Sequence, residues 1–160
     1  MKSIVRRFLS LALCMCMVFT LLPTTVFAAN SGEVTGLADE NIGLSFSGDA
    51  DNAWSASGMQ IVGSATGTGG TCGDTQYDST LTITNRKTTT ATLSFDYTIE
   101  QNSGTIQVDG TEVSSGASFT KELAPDEAVR IYIKSGSTSA ATKITLTNVV
   151  LVSDVNATAT

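Results

Sequence analysis

The chain has 160 residues, nine Lys and Arg against fifteen Asp and Glu, and no His, giving a net charge of −6. That length predicts a single domain. The missing His excludes a Ser-His-Asp or Cys-His catalytic pair and any His metal ligand, and a pI near 4.4 argues against nucleic acid as a partner, which needs a basic footprint.

Lys2, Arg6 and Arg7 form a short basic start, and Phe8 to Leu22 is then apolar almost throughout. Pro23 breaks the run, and Val26 and Ala28 are small residues at the two positions a signal peptidase reads. Residues 1–28 are therefore expected to be a secretory signal peptide cleaved after Ala28, and the product is expected to be secreted or extracellular. An uncleaved anchor running to Ala29 is the competing reading, since the stretch is long enough to span. The Thr24-Thr25 pair and the Val26-x-Ala28 site favour cleavage, after which no membrane contact is expected. The remaining 132 residues would carry six cations against fifteen acids, a net charge of −9. Cys14 and Cys16 would leave with the signal, so Cys72 stands alone and no intramolecular disulfide can form.

Residues 29–40 are small, polar and aperiodic and read as a linker. The domain is expected over 41–154, with 155–160 as a tail or the start of another linker. Within the domain the apolar period is two. Leu44 and Phe46 alternate with Ser45 and Ser47, and Leu81 and Ile83 alternate with threonines. Leu93, Phe95, Tyr97 and Ile99 share one face, with Ser94, Asp96 and Thr98 on the other. Ile106 and Val108 precede Asp109-Gly110 and then Thr111-Glu112-Val113, a strong hairpin signal because both turn residues tolerate positive φ. Phe119 and Leu123 bracket Lys121, and Ala124 to Ala128 has room for one helical turn. Val129, Ile131 and Ile133 alternate with Arg130, Tyr132 and Lys134, and the pattern closes with Ile144, Leu146 and Val149 to Val152. Residues 63–73, rich in Gly and Thr, read as a loop. Nine or ten short alternating strands predict an all-β antiparallel β-sandwich with one face of each sheet wet.

From about residue 79 to 152 the chain carries the runs STLTIT, ATLSFDYTIE, GTIQVDGTEV, ASFTKELAPDEAVRIYIKSG and TKITLTNVVLV. These runs resemble the back half of jelly-roll β-sandwich modules, including carbohydrate-binding modules, of secreted and surface proteins of Gram-positive bacteria. The lone Cys72 is ordinary for an exported protein of such bacteria. The resemblance implies a jelly-roll-like sandwich and a non-catalytic module. It is a core pattern, so it speaks for fold more than function, and it maps no binding residue.

Three aromatics are candidate ligand-binding residues, because sugars pack their axial C–H groups on ring faces. Trp54, the single tryptophan, is either a solvent-facing platform or a core residue closing one end of the sandwich. Tyr132 has wet-face parity between Arg130 and Lys134, where it would grip a sugar or an acidic glycan or simply fill sheet surface. Tyr77 stands beside the Gly-rich loop. Asp49, Asp51 and Asn52, with Asp154 and Glu40 as further partners, offer oxygens for a structural Ca²⁺ or form an ordinary solvated turn; no cofactor is required. Cys72 with Gln76 lacks the spacing of an internal thioester. Lys143, Asn148 and Asp96 would need joint burial to form an isopeptide bond, and alternation puts Asp96 outside. Fifteen acids guarantee carboxylate pairs, so pairs alone do not indicate a glycosidase. Asn156-Ala-Thr158 fits a glycosylation acceptor that matters only in a eukaryotic secretory route.

Two functions follow. One is a non-catalytic module that binds a polysaccharide or cell-surface glycan. The other is a structural or adhesive spacer with a protein partner at the cell surface and no sugar binding. Trp54, Tyr77 and Tyr132 lining one groove would favour the first. A buried Trp54 with an isolated Tyr132 would favour the second.

Overall fold

A computed structural model describes residues 30–48, 53–67, 77–102, 104–136 and 140–153. Among them eleven strands form two antiparallel sheets, as in a β-sandwich. The six-stranded sheet runs β1 (Asn30–Glu33), β2 (Ile42–Gly48), β5 (Asp78–Asn85), β10 (Ala128–Lys134), β7 (Thr105–Val108), β8 (Thr111–Glu112). The five-stranded sheet runs β3 (Trp54–Ser57), β4 (Gln60–Ala65), β11 (Thr142–Ser153), β6 (Ala91–Glu100), β9 (Ala117–Leu123).

Alternation decides which side of each strand is buried. On β5, Leu81 and Ile83 are buried between half-exposed threonines, and on β6 Ala91, Leu93, Phe95 and Tyr97 all point inward. Ile131 and Ile133 from β10 and Ile144 and Leu146 from β11 complete a core that water does not reach. Burying each such side chain contributes roughly 1.5–3 kcal/mol against the entropy of ordering the chain. Phe95 and Phe119 stack with centroids 4.8 Å apart, which extends the core to the β9 edge.

The Asp109-Gly110 hairpin forms as the sequence predicts, joining β7 to β8 with φ of 49° and 80° at the turn residues. Residues 124–128 form a turn rather than a helical one. Asp126 there has φ of 63°, and its N–H donates to the carbonyl of Asn85. Two expectations are corrected. The segment expected to be a linker contributes β1, which pairs with β2 from Asn30↔Gly48 to Glu33↔Ser45. Its sequence, Asn-Ser-Gly-Glu, has no apolar residue, so the pairing rests on the backbone and leaves no periodicity to read. Gly63 to Ala65, expected to open a loop, lie within β4 instead, with Gly63 opposite Trp54; residues 68–73 lie outside the described residues.

On the outer face of the five-stranded sheet, β11 slips register between Thr147 and Val150. Asn148 sits in this bulge at φ 55° and donates from its side chain to Asp96 at 3.0 Å. The Ser118 hydroxyl donates to the other Asp96 oxygen. These two bonds, Ser118 first, hold the Asp96 carboxyl below its ordinary value. A group with a depressed folded pKa contributes stability above its unfolded pKa and loses it as pH falls through the folded one. Urea titrations are expected to show a falling midpoint below about pH 4, the ordinary aspartate range. In Asp96→Asn that acid limb should be shallower, while stability at pH 7 is lower than in the wild type.

Candidate functional site

The outer face of the six-stranded sheet is built from the polar half of each alternation. Register brings Ser47, Thr80, Tyr132 and Gln107 into one row across β2, β5, β10 and β7. Ser45, Thr82 and Arg130 form the next row. Asp78, Lys134 and Thr105 form the row on the other side of Tyr132. Threonine suits such a face because its β-branched side chain packs on the pleated surface while its hydroxyl remains hydrated.

Thr80, Gln107, Asp109, Gly110, Arg130 and Tyr132 line an open groove of about 520 Å³ on this face, within the size range of small-ligand sites. The Tyr132 hydroxyl donates to Asp78 Oδ2 at 3.1 Å, which fixes the ring across β10 and β5. The ring is half-buried, so part of it reaches the surface. Arg130 is exposed. Asp109, at the hairpin turn, accepts from Lys121 Nζ at 3.0 Å, and Lys121 also lies 3.6 Å from Glu127. Hydrogen bonding to Asp109, with the charges of Asp109 and Glu127 behind it, raises the Lys121 pKa above its ordinary value despite some desolvation. The groove thus offers one aromatic ring, two neutral hydrogen-bonding side chains, one guanidinium, and a carboxylate whose charge is met by a lysine.

The three candidate aromatics do not meet. Tyr132 faces outward, as alternation expects. Trp54 is 7% exposed and points into the core, where its Nε1–H donates to Ser79 Oγ on the opposite sheet at 3.0 Å. It therefore closes the sandwich and presents no stacking platform. The physical reason lies across the hairpin: Gly63, its register partner, has no side chain, and the indole occupies that space. Tyr77 precedes β5 on the inward side, packs against the core, and receives Ser135 Oγ as the acceptor for its backbone N–H at 2.8 Å.

The other sequence candidates separate as follows. Asp49, Asp51, Asn52 and Asp154, the Ca²⁺ candidates, and Cys72 lie outside the described residues. Glu40 is exposed, and among the described residues no three Asp, Glu, Cys or His side chains stand together as a metal site. Lys143 lies 3.6 Å from Glu100, five residues along β11 from Asn148, so Lys143, Asn148 and Asp96 are not buried together.

The residue that sequence reading missed is Asn85. It is wholly buried at the end of β5, with Nδ2 donating to the carbonyls of Thr89, Leu123 and Ala124 and Oδ1 accepting from Lys87 N. It ties two loops to the strand that carries Thr80 and Thr82. The one available signal was an Asn ending a clean alternation just before a turn.

No family model and no curated protein matches the chain. A β-glucosidase from Kluyveromyces marxianus matches at 12% identity over 51% of this chain and 10% of its own, with a TM-score of 0.30. This chain thus spans about a tenth of that enzyme's length. A solved structure described as "CBM4 structure and function" matches at 16% identity over 79% of this chain and 80% of its own, with a TM-score of 0.27. Likeness this low assigns neither a family nor an activity.

Proposed function

We propose that the chain is a secreted, non-catalytic, jelly-roll-like module that binds a carbohydrate through the outer face of the six-stranded sheet. The observation that supports this reading is the groove around Tyr132. A ring fixed through its hydroxyl loses little freedom when a sugar packs on it. Thr80 and Gln107 beside it supply neutral donors and acceptors for sugar hydroxyls, and Arg130 supplies further donors. With one aromatic rather than several, a single sugar ring is the unit recognised, and the affinity is modest.

The test is calorimetric titration of the purified protein with neutral glucan, xylan, mannan and acidic polysaccharides. Tyr132→Ala is expected to weaken binding about tenfold, the loss of one stacking contact. The proposed Ca²⁺ site at Asp49, Asp51, Asn52 and Asp154 adds a second arm: thermal unfolding with Ca²⁺ and with EDTA, where equal midpoints remove that site.

The burial of Trp54 and the separation of Tyr132 from the other two candidate aromatics together favour a second reading, a structural or adhesive spacer whose partner at the cell surface is a protein. They leave Tyr132 as the sole aromatic lining the groove. A folded protein that binds none of these polysaccharides would decide for the spacer.

A further inference from the structure

Among the described residues there are six cations, and their pairing is uneven. Arg86 lies 3.7 Å from Glu33, Lys121 pairs with Asp109 and Glu127, and Lys143 lies 3.6 Å from Glu100. Lys87 donates to Ser153 Oγ at 3.0 Å. Arg130 and Lys134 make no ion pair with any described residue. These two cations stand on one strand and one face, with Tyr132 between them. In a chain of net charge −6, carboxylates are abundant, yet among the described residues none pairs with the Arg130 guanidinium.

The surrounding acids do not cancel it. Among the described residues that line the groove Asp109 is the one carboxylate, and Lys121 on β9 meets its charge. Asp78 lies in register with Lys134 and accepts the Tyr132 hydroxyl. Glu112 is exposed and lies in register with Gln107, one strand further from Arg130. Arg130 is exposed and lines the groove, and its planar five-donor fork has a geometry matched to a carboxylate. It lies two residues from Tyr132, roughly 7 Å along the strand, which a long side chain spans. A sugar ring on Tyr132 would place an exocyclic carboxylate within reach of Arg130.

We infer that this groove takes a uronic acid unit of an acidic polysaccharide, with Arg130 binding the carboxylate and Tyr132 lying against the ring. The inference rests on the carbohydrate-binding reading above and narrows it to a charged ligand.

The probes are polygalacturonate, alginate and hyaluronan, each as the free acid salt and as its methyl ester, with a neutral glucan and xylan beside them. At least one acid form should bind, and its ester, with the same backbone but no charge, should bind about tenfold or more weakly, as expected for a lost charge-assisted bond. Arg130→Gln, at an exposed position that does not support the core, should lose acid binding to the same extent, so that acid and ester bind the variant alike. Lys134→Gln should have a smaller effect. Equal binding of acid and ester, or acid binding that survives Arg130→Gln, overturns the inference. Neutral polymers binding through Tyr132 while no acid form binds also overturns it, but leaves the carbohydrate-binding reading intact. No binding to any polymer by folded protein ends both.

Discussion

Replacing Asn85 with Ala is expected to cost this protein a large part of its stability. The residue has no exposed surface and makes side-chain bonds to Thr89, Leu123 and Ala124 carbonyls at 3.0–3.1 Å and to Lys87 N at 2.9 Å. Its backbone N–H also donates to Glu127 and its carbonyl accepts from Asp126, so one residue joins the end of β5, the loop toward β6 and the turn between β9 and β10. Alanine keeps the backbone bonds and strands the side-chain partners. Only the bond to the Leu123 carbonyl is buried, the other three being partly so; with a buried orphan costing about 1–3 kcal/mol, a total loss of about 2–3 kcal/mol is expected. That is a large share of the roughly 5–15 kcal/mol by which domains are stable. Urea denaturation would show it as a lower midpoint at unchanged slope. Asn85→Asp separates geometry from donor chemistry. It keeps the acceptor for Lys87 N but turns an oxygen toward three carbonyls, so it should destabilise at least as much as Ala. If Asn85→Asp matched the wild type, the bonding scheme given for Nδ2 would be wrong.

The second large effect is at Trp54 and Gly63, which should behave as one unit. A Cβ on Gly63 would stand 2.3 Å from Cζ3 of the indole, too close for any contact. Gly63→Ala must therefore push Trp54 out of place and loosen its 3.0 Å bond to Ser79. Such overpacking costs about 1–3 kcal/mol. Trp54→Ala empties the space instead, at about 3–5 kcal/mol. The double variant should be more stable than the sum of the two losses predicts, because the added methyl then enters a vacated volume. Additive losses in a double-mutant cycle would contradict the packing. Fluorescence gives an independent reading, since this is the single tryptophan. Wild-type emission should be that of a buried indole and shift toward the solvent value in Gly63→Ala.

Most of the sandwich was legible because burial follows parity. Leu93, Phe95 and Tyr97 declare a face, and Asp109-Gly110 declares a turn, by local physics that needs no partner strand. Arg130, Tyr132 and Lys134 were legible as one outward set for the same reason. Trp54 was not, because β3 is four residues long and Trp-Ser-Ala-Ser contains too few apolar positions to define a buried side. Its direction is set by Gly63 on the neighbouring strand, a fact of pairing rather than composition. β1 carries no apolar residue at all, and Asn85 is polar yet buried, so both escape a reading based on hydrophobic rhythm. The groove likewise depends on rows that cross β5, β10 and β7, and register between strands far apart in sequence is not written in any one of them.

The strand order has a consequence for how the molecule assembles. Among the described strands only β1–β2, β3–β4 and β7–β8 are neighbours both in sequence and in space. The other six pairings join distant segments. β11, the last strand, lies at the centre of its sheet between β4 and β6. Until the first half of β11 has been synthesised, the β3–β4 hairpin and the β6–β9 pair have no strand to join them. Topologies dominated by non-local pairing fold on the scale of milliseconds to seconds rather than microseconds. The five-stranded sheet therefore closes only once its central strand has been made, after every described strand of the six-stranded sheet is already available.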